Sequence, residues 1–184
     1  MPETDEPVIV VDYDPAWPSE FRHWGGEVRR ALGPIARRVD HVGSTAVPGL
    51  AAKPVIDIQA SVASLEPLAA LVDPLTLGGW RFHPQNPDRS KRFFLGPVGA
   101  RRVHLHVRPA GSVDEQLTLL FRDFLRSHPA AQAEYVEAKQ RLAVTYRNDR
   151  ARYVRGKEPV IWKLFQAAHD WSQETGWSPG PSDL

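Results

Sequence analysis

The sequence predicts an α/β (α+β) fold, a mixed sheet flanked by helices and followed by a C-terminal helical cap. Three observations predict it. Short β-branched runs alternate with helical patterns through the first 110 residues, and helical periodicity alone continues from residue 113. One strand carries polar residues on one face and aliphatic residues on the other.

Val8-Ile-Val-Val11 is short, apolar and β-branched and reads as a first strand. Asp14-Pro15 offers an N-cap and an early-turn proline; Phe21, Trp24, Val28 and Leu32 then recur at helical spacing until Gly33-Pro34 stops the helix. Residues 35–42 read as a strand ending at Gly43, and Pro48-Gly49 signals a turn. The clearest strand is 54–62. Val55, Asp57, Gln59 and Ser61 share one face, and Ile56, Ile58, Ala60 and Val62 share the other. Residues 64–77 are rich in Leu and Ala and predict a helix closed by Gly78-Gly79. Residues 80–83, 91–95 and 102–108 read as strands, the first two separated by an exposed turn over 84–90. Helices are expected over 113–127, 130–148 and 157–174, with Pro129 and Pro159 at two of the starts. Residues 1–175 are read as one domain, its sheet part about 8–110 and its helical part about 113–175, and 176–184 as a disordered tail.

Composition narrows the function classes. Apolar residues make up 42% of the 184, enough for a sizeable core. The chain has no cysteine, which excludes disulfides, thiolate metal sites and cysteine nucleophiles. No apolar stretch approaches the roughly 20 residues that span a bilayer, and the acidic Met1 to Pro7 start is unlike a signal peptide. The expectation is a cytoplasmic protein with no membrane partner. Net charge is +1, but residues 81–108 hold seven bases (Arg81, Arg89, Lys91, Arg92, Arg101, Arg102, Arg108) against one acid, Asp88. Residues 120–165 hold ten bases against five acids. Two basic segments suit an anionic ligand, while solvated helix and hairpin faces are the plainer reading. Nucleic acid is not expected, because pI is 8.1, no basic run exists and the six tryptophans do not cluster as a stacking platform. Nothing in the sequence fixes an oligomeric state.

The informative segment is His41-Val-Gly-Ser-Thr-Ala-Val-Pro-Gly-Leu-Ala-Ala-Lys-Pro-Val-Ile-Asp-Ile-Gln59. Gly43 permits close backbone approach to a ligand. Ser44 and Thr45 offer hydroxyls and backbone N–H groups to phosphate oxygens. Asp57 sits between two isoleucines on the polar face of its strand, where a carboxylate needs a cation, a ligand or a loop backbone as partner. His41 is expected to brace the Gly-Ser turn. His104 and His106 alternate on their strand and point to one face. If that strand neighbours 54–62, both imidazoles approach Asp57. The three then form a metal set suited to transition metals, or one histidine serves as a general base, or the pair only lines the pocket. Lys53 either reaches a phosphate across the loop or is solvated, and Arg92 either faces the same cleft or is a solvated charge. Tyr135/Lys139 and Tyr153/Lys157 stand at i, i+4 and present two ammonium groups to one polyphosphate or tie the cap together. Arg122-Asp123 reads as an ion pair joining cap to sheet.

This central segment resembles the signature of the GrpB (UPF0157) family. Val11 to Pro18, His104 to Val107, Phe121 to Leu125, Tyr135/Lys139 and Tyr153/Lys157 resemble the family's other blocks, so the resemblance covers about residues 8–171. The family is similar in turn to the nucleotidyltransferase superfamily. That likeness implies a nucleotidyltransferase-like sheet, a Gly-Ser turn on the phosphates of a nucleoside triphosphate, and carboxylates on the next strand holding divalent Mg or Mn. It implies catalytic and metal roles for Asp57, His104 and His106, with Gly43, Ser44, Thr45, Lys53, Arg92, Lys139 and Lys157 on the nucleotide. The implied activity is transfer of a nucleotidyl group to a small acceptor. The sequence departs from the superfamily at Gln59, where a second carboxylate belongs, and a neutral amide is a poor Mg²⁺ ligand. The alternative is a non-catalytic module binding a nucleotide or another phosphorylated small molecule, for example one linked to coenzyme A metabolism.

Overall fold

The structure, a computed structural model, describes residues 7–99 and 102–184; the acidic residues before Pro7 and Arg101 lie outside the described residues. Five strands form one mixed sheet: β1 (Ala36–Val42), β2 (Ile56–Val62), β3 (Arg81–Phe82), β4 (Arg92–Leu95) and β5 (Val103–Pro109). Their order is β1-β2-β5-β4-β3, with β2 and β5 parallel and the other pairs antiparallel. A parallel central pair needs a long crossover, here made by the segment that carries α2 (Ala69–Leu77), β3 and β4.

The two sheet faces differ in chemistry. Ile56, Ile58, Ala60 and Val62 of β2 and Val103, Leu105 and Val107 of β5 pack with Phe94, under Trp17, Phe21, Val28 and Leu32 of α1 (Trp17–Leu32) and Leu71 and Leu75 of α2. Each of these buried large side chains contributes about 1.5–3 kcal/mol. The opposite face carries Asp40, Gln59 and Ser61, all fully buried, and lies beneath α3 (Val113–Ser127). A strand at the centre of a covered sheet is buried on both sides, so its polar positions are buried too. Helices α4 (Pro129–Thr145) and α6 (Glu158–Thr175) pack with α3 around a second apolar cluster that takes in Val47 and Leu50 of the β1–β2 connection. Among the described residues no helix is long and apolar enough to cross a membrane.

Four expectations are corrected. Residues 8–11 form no strand of the sheet; Val11 makes a single bridge to Ala52 and Val8 donates to the Arg147 carbonyl. The free edge of β1 is already occupied, which is the second correction. Residues 176–184 are not a loose tail: Val39 N–H donates to Ser182, His41 N–H to Asp183, and Leu184 N–H to the Val39 carbonyl. Third, α2 begins at Ala69 rather than 64, after Pro67. Fourth, a further helix of seven residues, α5 (Arg150–Gly156), lies where the sequence showed a gap. Asp149 caps it by accepting the Arg152 N–H at 2.9 Å. The segment is too short for an apolar stripe to register.

Candidate functional site

β1 ends at Val42, and Gly43 turns the chain with φ 73° into a 3-10 turn over Ser44–Ala46. Only glycine fits here. A Cβ at Gly43 would lie 2.7 Å from Oδ2 of Asp57, so the close approach inferred for Gly43 is to the Asp57 carboxylate itself. Gly43→Ala is therefore expected to cost about 1–2 kcal/mol in backbone strain alone and to displace Asp57. Chemical denaturation and a metal titration of the same variant check the two effects.

The turn is braced from below. The Thr45 hydroxyl donates to the Val55 carbonyl at 2.9 Å and lies 3.1 Å from His41 Nε2, which donates to it. Burial pushes the His41 imidazole down to about 4, so the ring is neutral and serves this role alone. It stacks on Phe21 at 4.8 Å. The Thr45 side chain is thus committed to the turn and does not offer its hydroxyl to a ligand, a correction to its assignment as a phosphate ligand through that group. Ser44 is half-exposed.

The parallel register sets Asp57 opposite His104 and Gln59 opposite His106. Asp57 Oδ1 lies 3.3 Å from His104 Nδ1 and 3.2 Å from His106 Nε2. The three ligand atoms fall within 4.8 Å of one another. Burial pushes the Asp57 carboxyl up, but the hydrogen bonds and partial charge of the two imidazoles outweigh it and hold it well below the usual carboxylate range. Burial lowers His106 in spite of Asp57. Phe93 packs its ring on both imidazoles, at 5.3 Å and 5.2 Å. Two nitrogens and one carboxylate oxygen suit a transition-metal cation better than Mg²⁺, which prefers an all-oxygen shell. Gln59 supplies no further ligand: its side-chain N–H donates to the Glu115 carbonyl at 3.3 Å, beneath α3.

Beside this triad lies a pocket of about 170 Å³ lined by Ser44, Thr45, Lys53, Val55, Asp57, His104, Lys139, Arg150, Tyr153, Val154 and Lys157. Among the described residues it brings Lys53, Lys139, Arg150 and Lys157 together with one carboxylate, Asp57. Lys53 and Lys157 flank the buried Tyr153 ring at 5.9 Å and 4.9 Å, and Lys139 lies 4.5 Å over Tyr135. Burial, with repulsion from Lys157, lowers the Lys139 ammonium to about 7. Burial and Arg150 lower Lys157, against the pull of Asp57.

Arg92 is not in this pocket. Antiparallel pairing sets Arg92 opposite Val107 and Phe93 opposite His106, so Arg92 leaves the sheet on the face of Val107. It pairs with Glu66 at 2.8 Å. Arg150 was missed. The available signal was the i, i+3, i+4, i+7 spacing of Arg150, Tyr153, Val154 and Lys157, one helical face begun by the Asp149 cap. Lys157 itself falls between α5 and α6 rather than within a helix.

A family model described as "GrpB protein" matches residues 7–167. A UPF0157 protein of Pseudomonas aeruginosa is 40% identical over 168 residues, covering 89% of this chain and 69% of that protein. A dephospho-CoA kinase of Mycolicibacterium paratuberculosis is 35% identical, over 94% of this chain but 49% of the kinase. The chain thus spans about half the length of that relative, whose name describes the whole protein. The crystal structure of the conserved protein GrpB from Enterococcus faecalis superposes with a TM-score of 0.82 at 28% identity, covering 90% of this chain and 99% of that one.

Proposed function

This chain belongs to the GrpB family, and from that premise we propose that it binds a nucleoside triphosphate and a divalent cation and transfers a nucleotidyl group to a small acceptor. The observation that carries the reading is the gathering of Lys53, Lys139, Arg150 and Lys157 around one pocket beside Asp57. A polyphosphate against this wall gains a charge-assisted hydrogen bond from each lysine or arginine it meets. Ser44 supplies a hydroxyl at the same wall. Asp57, His104 and His106 are the residues that would hold the cation, and their N, N, O donor set favours Mn²⁺ or a heavier transition metal. When bound, such a cation draws charge from the phosphoryl oxygens as the leaving pyrophosphate forms.

The same reading tests itself on Ser44. Ser44→Ala is expected to weaken ATP binding by about 1–3 kcal/mol, the scale of one hydrogen bond to a charged group. Isothermal titration of parent and variant measures it; equal affinities would remove the Gly-Ser turn from the site. A parent that binds inorganic triphosphate but no nucleotide would sink the nucleoside assignment.

Gln59 favours a second reading, a phospho-ligand-binding module without catalysis. Its amide is turned to the Glu115 carbonyl, so one carboxylate stands where two-metal transfer uses at least two. A phosphorylated coenzyme precursor is the small molecule this reading would place in the pocket, consistent with the dephospho-CoA kinase name borne by longer relatives.

A further inference from the structure

Among the described residues Ser44 alone lines both the cationic pocket and a second compartment of about 240 Å³. The second compartment is largely apolar, walled by Phe121, Leu125, Tyr135, Ile161 and Phe165, with Thr118 and Arg122 as its further polar lining. Phe121 sets its ring 4.6 Å from Phe165 and 5.8 Å from Tyr135. At the junction Lys139 Nζ lies 3.3 Å from Ser44 Oγ and donates to the Ala51 carbonyl. Lys139 is 2% exposed and, among the described residues, has no carboxylate in ion-pair reach.

A serine hydroxyl in contact with a buried lysine is the arrangement of an activated nucleophile and its base. We propose that Ser44 is a nucleophile with Lys139 as its general base, acting on an acyl phosphate whose apolar acyl group lies among Phe121, Tyr135 and Phe165 and whose phosphate lies in the cationic pocket. Ser44 Oγ forms a bond to the carbonyl carbon and gives its proton to Lys139 Nζ. The bond from that carbon to the bridging oxygen breaks, and phosphate leaves with the electron pair toward Lys53, Arg150 and Lys157, taking the proton from Lys139 and restoring the neutral amine. Water then attacks the acyl-serine as Lys139 takes its proton and returns it to the departing Ser44 Oγ, so that acyl phosphate and water yield carboxylic acid and phosphate. The proposal rests on the cationic pocket being a phosphate site but needs no nucleotide and no metal.

Burial holds Lys139 near 7, so the neutral amine that the step requires is present at neutral pH and above. Among the described residues the charged and titratable groups facing it are Tyr135 on its own helix, Lys53 and Asp57 from the β1–β2 side, His104 from β5, Arg150 and Tyr153 from α5, and Lys157. Burial pushes Tyr135 up to about 12, so it stays a neutral hydroxyl throughout.

The test is benzoyl phosphate added to the full chain without metal, read by phosphate release and by intact mass and peptide mapping after acid quench. The expected result is a benzoyl adduct on Ser44 and a rate that rises with pH through about 7. Ser44→Ala should give no adduct. Lys139→Met and Lys139→Arg should slow release by at least about 100-fold, the usual contribution of a general base; the Arg variant keeps the positive charge and loses only the base. No Ser44 adduct, or Lys139→Arg at the parent rate, overturns the proposal. Should neither Lys139 variant fold, a flat parent rate between pH 6 and 9 overturns it as well. Failure here with intact ATP binding leaves the nucleotide reading standing, and the converse holds too.

Discussion

Asp57→Asn is expected to weaken Mn²⁺ binding by more than about 100-fold while the fold survives. Loss of a group that merely orients a ligand costs 10–100-fold in metal affinity, and Asp57 is the only anionic member of the triad. Asparagine keeps the shape of the side chain, so the packing around Gly43 and the two imidazoles is preserved. Titrating the variant with Mn²⁺ and with ATP separates the two functional readings by sign. Metal-dependent transfer predicts that ATP affinity in Mn²⁺ falls. A module that binds phosphate without a cation predicts that ATP affinity holds or rises, because a negative charge has left a pocket built for anions.

The pH dependence of the parent follows from His106. A free imidazole titrates near 6.5. Burial lowers His106 in spite of Asp57, so protons compete with the metal for this nitrogen only below the ordinary imidazole range. Mn²⁺ affinity is therefore expected to begin falling only at a more acidic pH than the titration of a free imidazole would give. A midpoint at or above 6.5 would show that His106 is not the ligand that limits binding.

Arg122→Met is expected to destabilise the protein by about 3–5 kcal/mol, the cost of breaking a buried ion pair from one side. Arg122 is 4% exposed. From α3 it donates to the His41 carbonyl at 3.1 Å and to Asp183 at 3.0 Å, and it pairs with Asp123 at 2.8 Å. Asp40, fully buried, lies 3.7 Å away and keeps the Arg38 guanidinium and the Asp183 N–H when Arg122 is removed. One guanidinium thus joins cap, sheet and C-terminal segment, and its loss leaves buried acceptors unmatched. At about 2–4 °C per kcal/mol for a chain of this size, the melting temperature should drop by roughly 6–20 °C. A drop under about 2 °C would mean that the network is a surface feature in energetic terms.

The candidate site was legible in part, and the reason differs by residue. Asp57, His104 and His106 were readable because strand alternation fixes which side chains share a face, and parallel pairing of β2 with β5 was the single further condition. Lys139 was readable as a partner of Tyr135 because i, i+4 geometry is local. Arg92 was misread because its face depends on the register of β4 against β5, which no local pattern specifies. Thr45 was misread because its hydroxyl is taken by the Val55 carbonyl, ten residues along the chain.

Taken alone, the sequence determined the succession of strands and helices, the two-faced character of β2, the Gly-Ser turn and the family. These depend on periodicity and on a long contiguous motif, both of which are properties of neighbouring residues. Tertiary structure decided where the edges and cations go. The segment 176–184 is composed like a flexible end, yet the unpaired N–H and C=O groups of an edge strand recruit it. Residues 8–11 have the composition of a strand and find that edge already taken. The four cations come from the β1–β2 connection, α4, α5 and the α5–α6 junction. Only packing of the cap against the sheet gathers charges about 100 residues apart in the sequence around one pocket, because Coulomb energy depends on distance through space and not along the chain.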